Sequence, residues 1–221
     1  MDFLAHDAEQ QNHRESAAPR RHPPYRAIGE SQFWSRDTPP VTKNDGFVLP
    51  PPDFAHHLLG CFWERVYCIY PLFDRRSFQE AYETLWMPTH RAKHQTTTLN
   101  IGLGDRMSSG PTSSVFICAP NTMFALGCHL TDLPIQDRET TVYQFFLRAK
   151  HHISLDMINM HFIGVVQMLL IVALFLQSTQ YPRRFWNSIG TACRLALGLG
   201  FHDAQPEKSK GPLEREIHRR T

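Results

Sequence analysis

Residues 162–176 read Phe162-Ile163-Gly164-Val165-Val166-Gln167-Met168-Leu169-Leu170-Ile171-Val172-Ala173-Leu174-Phe175-Leu176, with Gln167 the single polar side chain. A helix that spans a membrane needs about 20 apolar residues, and this run is shorter. It is flanked by His161 and by Gln177-Ser178-Thr179 rather than by the basic and aromatic anchors of a membrane boundary. A segment apolar all round yet too short to span is a central buried helix. No membrane span is expected.

Downstream, Phe185, Ile189, Ala192, Cys193, Ala196 and Leu197 recur at intervals of three and four, and Gly198 and Gly200 are placed to end that helix. Upstream, Phe54, Leu58, Cys61, Phe62, Val66 and Ile69 keep helical spacing until Tyr70-Pro71. Ser77-Phe78-Gln79-Glu80 reads as a capping box opening a helix with Phe78, Ala81, Tyr82, Leu85 and Trp86, closed by Pro88. Further helical stretches are expected at about 120–131, 138–157, 161–178 and 183–199, and a last one starts at Pro212. No alternating β-branched run bounded by hairpin turns appears, so the fold class is all-α, a multi-helix domain.

Residues 88–114 lose periodicity and end in Ser108-Ser109-Gly110-Pro111-Thr112-Ser113-Ser114, which predicts a long mobile loop. Gly102-Leu103-Gly104 follows no strand, so it reads as flexibility rather than a nucleotide-binding turn. Residues 1–48 are polar and proline-bearing, without helical or alternating period. Too little apolar surface is available there to offset ordering entropy, which predicts a disordered arm or linker. That arm carries six Arg/Lys against seven Asp/Glu, so it is no basic DNA-binding tail, and Arg20-Arg21 is a poor nuclear-localisation signal. Residues 49–221 form the expected domain.

Composition agrees with a globular domain: 42% hydrophobic, with 15 Phe and 4 Trp. The formal charge is +2, from 23 basic and 21 acidic residues, and gives no support for nucleic-acid binding by this chain. Five cysteines, at 61, 68, 118, 128 and 193, form no C-x-x-C pair and no even framework. Most sit among apolar residues, which fits reduced thiols inside a cell. The first seven residues show no basic region leading into an apolar run, so no signal peptide is visible.

Chemistry-bearing patterns are weak. His151-His152 and His56-His57 are adjacent and point to different sides of a helix, unlike the i, i+4 pairs that hold a metal. Cys61 and Cys68 stand seven apart, which favours buried thiols over a zinc knuckle. No nucleophile elbow or phosphate loop occurs, and no carboxylate pair is singled out for acid–base work. No catalytic residue, metal ligand or cofactor is assigned, and the chain does not read as an enzyme. Arg194, on the apolar face of 185–197, either contacts a ligand or lays its stem on the core and pairs at the rim.

One block is specific: Leu176-Gln177-Ser178-Thr179, Pro182, Trp186, Gly190, Ala192-Cys193-Arg194-Leu195-Ala196, Leu199-Gly200 and His202-Asp203. It resembles the regulatory domain, or middle homology region, of fungal zinc-binuclear-cluster transcription factors, of xylanolytic-activator type. Phe62 through Phe78, Phe124-Ala125-Leu126-Gly127-Cys128 and Leu213 through Arg220 are similar to further stretches of that family, in the family's order. The resemblance covers about residues 50–220. Its motif residues, Gln177, Ser178, Pro182, Trp186, Gly190, Arg194, Leu199, Gly200 and His202, imply packing roles: Gly190 letting two helices approach, Trp186 anchoring an interhelical layer, Leu199-Gly200 forming an αL cap.

The resemblance implies a transcription regulator in the nucleus, controlling RNA polymerase II transcription of a metabolic or biosynthetic gene set. The family's DNA contact and its zinc come from a six-cysteine cluster, and residues 1–60 contain no cysteine. The family also continues past the Glu/Arg-rich helix into a Trp pair and more helices, so the chain reads as a C-terminally truncated portion. Homo- or heterodimers with zinc-cluster regulators are implied as partners. The alternative is a non-DNA-binding interaction protein that heterodimerises with a full-length relative and modulates it.

Overall fold

The computed structural model describes residues 49–86, 101–105, 109–132, 134–202 and 211–221. All lie in one compact unit, Asp45–Thr221. The expected arm, the Pro88 stop and residues 88–100 and 106–108 of the expected loop fall outside the described residues. Those described are helical and contain no strand.

Among the described residues eight helices follow in order: α1, Pro52–Phe62, continued by a π-helical turn, Trp63–Tyr67; α2, Arg75–Thr84; α3, Ser114–His129; α4, Ile135–His151; α5, Leu155–Ile158; α6, Ile163–Gln177; α7, Pro182–Gly198; and α8, Pro212–Arg220. Pro52, Pro182 and Pro212 each occupy the first turn of their helix, where a missing N–H costs nothing.

The layering follows from which helices are apolar on more than one side. α3 packs against α1, α4 and α6, and α6 lies between α3 and α7. Both inner helices are buried almost all round, α3 from Val115 through Cys128 apart from Ile117, and α6 at 164–169, 171–173, 175 and 176. The apolar run at 162–176 is thus the wall between two layers. Among the described residues no helix is long and apolar enough to cross a membrane.

Where α1 meets α3 the backbones touch. A Cβ on Gly127 would run into the Leu58 carbonyl oxygen, so only glycine allows this approach. Beside it, an aromatic cluster joins α1, its π turn and α2 to α3. Trp63 packs edge-on to Phe62, Tyr67 and Phe78, and Phe78 meets Phe116 at 5.2 Å. Arg75 lies 4.9 Å over the Trp63 ring.

Local signals moved three boundaries. The N-cap of α2 is Asp74, whose carboxylate accepts from the Ser77 amide and hydroxyl, each at 2.8 Å. Ser77 is therefore buried inside the helix, and Glu80 pairs with Arg76 instead of closing a capping box. α3 starts six residues before the expected 120, because Ser113 caps it by accepting from Phe116 N at 3.1 Å. Pro120 sits within α3, and the neighbouring Asn121 amide donates to the Ile117 carbonyl at 2.9 Å. The expected stretch 138–157 breaks after His151, and α5 is a separate single turn.

The largest departure concerns the expected mobile loop. Its described part is bound into the core: Leu103 is 1% exposed and Ser109 0%. Gly102 and Gly104 adopt φ of +80° and +98°, a left-handed geometry glycine allows. A Cβ on Gly102 would collide with the Gln167 side chain, and one on Gly104 would stand 2.7 Å from the Ser77 carbonyl oxygen. Here the glycines permit close packing rather than flexibility.

Candidate functional surface

The α6–α7 elbow carries the motif residues. Phe175 and Leu176 keep the end of α6 in the core, while the Ser178 and Thr179 hydroxyls donate back to the Phe175 and Leu176 carbonyls at 2.7 and 2.6 Å. These bonds satisfy carbonyls left free at a helix end. Pro182 then starts α7. Its inward side is narrow: Ala192 and Leu195 are buried, and Ser188 donates to the Leu169 carbonyl of α6 at 2.9 Å.

α7 closes in a Schellman arrangement. Gly200 takes φ +76°, Gly200 N donates to the Leu197 carbonyl at 3.0 Å, and Phe201 N donates to the Ala196 carbonyl at 3.1 Å. The Phe201 ring then meets the His218 ring of α8 at 4.3 Å.

The outward side of α7 is apolar. Trp186 is 68% exposed and Leu197 55%, and Cys193 is exposed. Arg183 and Arg194 are exposed along one flank. An apolar helix face with a basic margin can dock a polypeptide, and it holds no nucleophile–base arrangement. The protein's two most deeply buried thiols are equally unreactive: burial pushes Cys118 and Cys128 up to about 12.

Among the described residues no group of three His, Cys, Asp or Glu side chains is placed to hold a metal. Adjacent histidines understate the spacing argument, however, since His90 and His94 stand four apart, outside the described residues.

Residues 59–221 match the family model described as the fungal specific transcription factor domain. The chain belongs to that family. An uncharacterised transcriptional regulatory protein of Schizosaccharomyces pombe is 27% identical over 190 residues, 81% of this chain and 22% of that protein. The sorbicillinoid biosynthetic cluster transcription factor 2 of Penicillium rubens is 26% identical over 168 residues, 74% of this chain and 22% of the relative. A transcription factor of Gibberella moniliformis is 35% identical over 57 residues, 26% of this chain and 8% of its own length. The chain thus spans about a fifth of the length of the first two curated relatives. No solved structure matches.

Within this fungal-specific transcription factor domain, the motif residues lie together on the elbow but not in the expected roles. Gln177 and Ser178 are exposed at the end of α6, Leu199 is half-buried, and His202 is exposed. Trp186 anchors no layer among the described residues, because its ring points outward. Gly190 separates no helix pair: the nearest atom to a Cβ placed there is the Arg194 guanidinium, at 3.9 Å. Arg194 and Cys193 are exposed rather than folded onto the core, and so is Cys68, whose thiol donates to the Glu64 carbonyl at 3.0 Å. The assumed apolar face of 185–197 was rotated: positions 192 and 195 face in, 186, 193 and 197 face out.

One residue that organises the domain escaped the motif reading. Gln167, 0% exposed, accepts from Leu103 N at 2.9 Å and donates to the Leu72 carbonyl at 3.0 Å and to the Thr221 hydroxyl at 3.1 Å. It joins α6 to the turn before α2, the 101–105 segment and the end of α8. A lone amide in an otherwise apolar helix was the available signal, since a buried amide must find partners.

Proposed function

We propose that this chain is a regulatory portion of a fungal transcription regulator that acts in the nucleus on RNA polymerase II transcription of a metabolic or biosynthetic gene set. The observation that carries this reading is the family match over residues 59–221. The Penicillium rubens relative, named for a biosynthetic cluster, supports the kind of gene set. DNA contact and zinc are assigned to a six-cysteine module outside residues 1–221. The outward face of α7 suits partner contact, with another copy or with a zinc-cluster regulator.

The test fuses residues 1–221 to an unrelated DNA-binding domain over a reporter in a fungal host, with nuclear entry verified by fluorescence. The fusion is expected to change reporter output relative to the DNA-binding domain alone. The purified chain is expected to shift no DNA in a sequence-selective manner and to carry no stoichiometric zinc. Unchanged reporter output from a nuclear, folded fusion would contradict the regulatory role, and tight selective DNA binding would contradict the assignment of DNA contact elsewhere.

A further inference from the structure

α1 and its π turn lay one stripe along α3. Phe54, Leu58, Cys61 and Arg65 follow one another at intervals of 4, 3 and 4 residues, the spacing by which one side of a helix meets a neighbour. Three of the four have a contact that locates them. Phe54 meets Phe145, which packs in turn on Phe124 of α3, with ring centroids 6.5 and 5.4 Å apart. A Cβ on Gly127 would stand 3.2 Å from the Leu58 Cα. The Arg65 guanidinium donates to the Leu130 carbonyl at 2.8 Å. The two elements therefore run side by side in the same direction. Position 61 falls between the last two contacts on α1, and Cys128 falls between them on α3.

We propose that Cys61 and Cys128 form a reversible oxidation site, where a peroxide joins the two thiols as a disulfide that staples α1 to α3. A disulfide needs Cα atoms about 4.4–6.8 Å apart. Helices whose backbones touch, as these do at Gly127, come that close over the adjoining turn. The other thiols stand apart. Cys118 lies ten residues back along α3, about 15 Å away, and the Cys68 thiol, past the π turn, donates to the Glu64 carbonyl at 3.0 Å.

The two sulfurs are unequal, and the inequality assigns their roles. Cys61 is half-buried, so an oxidant from solution reaches it, and its Sγ stands 4.0 Å from Nε2 of His57, a base one turn back on α1. Cys128 is 0% exposed. Burial raises its thiol to about 12, and the charge of Cys61 adds to the effect, which places the two groups within electrostatic reach.

In the first step Cys61 gives its proton to His57 and its sulfur attacks one peroxide oxygen. The S–O bond forms, the O–O bond breaks, and the second oxygen leaves as water with that proton, giving a sulfenic acid. In the second step the Cys128 sulfur attacks the Cys61 sulfur. The S–S bond forms, the S–O bond breaks, and hydroxide leaves as water with the Cys128 proton. Together the thiols lose two electrons, and the peroxide is reduced to two waters. A thiol held at about 12 is slow toward reagents in solution. Beside a sulfenic acid the attack is intramolecular, and proximity offsets the small thiolate fraction. Oxidation of Cys61 also removes the charge that opposes ionisation of Cys128.

The test treats the dilute, reduced 221-residue chain with equimolar hydrogen peroxide under native conditions, blocks remaining thiols with N-ethylmaleimide and maps peptides by mass spectrometry. The expected product joins the Cys61 peptide to the Cys128 peptide and returns to free thiols with dithiothreitol. Cys61→Ser is expected to abolish the link, and Cys128→Ser to leave a sulfenic acid at Cys61 that dimedone traps. His57→Gln should slow the loss of the Cys61 thiol about threefold or more. Cys118, equally buried but without a thiol in reach, should stay reduced.

Far-UV circular dichroism verifies that each variant keeps its helices. Absence of the Cys61–Cys128 peptide, equal oxidation of Cys118, or a Cys128→Ser chain without a dimedone adduct at Cys61 would each overturn the site. A His57→Gln rate equal to that of the native chain would overturn the assignment of the base. The reporter assay is an independent readout, so a missing disulfide leaves the regulatory role standing and a silent reporter leaves the disulfide standing.

Discussion

Replacing Gln167 by Met is the sharpest test of how this domain is held together. The two side chains are unbranched and similar in length, so the substitution removes the amide with little change in shape. Three interactions vanish. Leu103 N–H loses its acceptor, and its residue is only 1% exposed, so the donor is left without water or partner at a cost of about 1–3 kcal/mol. The Leu72 carbonyl still receives the Thr221 hydroxyl at 3.0 Å, so losing the Gln167 donor there costs only the net worth of a bond, about 1 kcal/mol. With its single proton on the Leu72 carbonyl, the Thr221 hydroxyl loses only the bond it accepted from Gln167, and the Ile217 carbonyl keeps the Thr221 N–H at 3.0 Å. Greater apolar burial by the thioether offsets about 1 kcal/mol. The net expectation is a loss of about 1–3 kcal/mol, a large share of the roughly 5–15 kcal/mol that holds a domain folded. Urea unfolding followed by circular dichroism should show a lower midpoint at an unchanged slope. Amide exchange at Leu103 should accelerate more than exchange in α3. A midpoint shift worth less than about 0.5 kcal/mol, with Leu103 still protected, would refute the reasoning that this amide ties three segments together.

Gly127→Ala should lower the thermal midpoint by the equivalent of at least about 1–3 kcal/mol, because the new methyl meets the backbone carbonyl of Leu58 rather than a movable side chain; an unchanged melt would mean α1 and α3 separate freely. In thiol titration of the native protein, the exposed Cys68 and Cys193 should react first. Cys118 and Cys128, raised to about 12 by burial, should react only on unfolding. His129 and His152 are both lowered from 6.5, chiefly by burial, with Arg138 adding to the effect at His129 and His151 at His152. The unfolded chain therefore takes up protons first as pH falls, so stability is full above about pH 6.5 and declines below it until the folded values are passed. His129→Phe, which keeps a ring against Phe175, should flatten that decline in urea titrations between pH 7 and 5.

Much of the fold was legible because helical periodicity and proline placement are local signals. The run at 162–176 identified a helix apolar on all sides, and α6 is that helix, enclosed by α3 and α7. What local reading could not supply was the identity of the neighbour on each face. Phe185, Ile189, Ala192, Cys193, Ala196 and Leu197 satisfy helical spacing whether Cys193 faces core or solvent, and the structure puts Ala192 and Leu195 inward. Gly102 and Gly104 show the same limit in a loop. A Gly-x-Gly pair reads identically as slack or as a tight left-handed turn until a contact 65 residues away is known, here the Gln167 side chain against Gly102. Asp74 and Ser77 both offer an oxygen at a helix start, and only the turn after Pro71 decides that Asp74 is the one preceding the first helical residue.

The residues that hold the domain and those exposed on the outer side of α7 separate cleanly across α6 and α7, which makes their contributions experimentally independent. Gln167 points from α6 toward Leu72, Leu103 and Thr221, while Trp186 projects from the outer side of the next helix, 68% exposed. They share no hydrogen-bond partner. Substitutions without shared partners combine additively, within about 0.5 kcal/mol. Gln167→Met should therefore lower the urea midpoint by the same amount with and without Trp186→Glu. Trp186→Glu should leave the urea midpoint where it was, since an exposed indole contributes little to folding. If Trp186→Glu instead lowered the midpoint as much as Gln167→Met does, the indole would be buried against this same chain. The outward face of α7 would then belong to the core rather than to the surface.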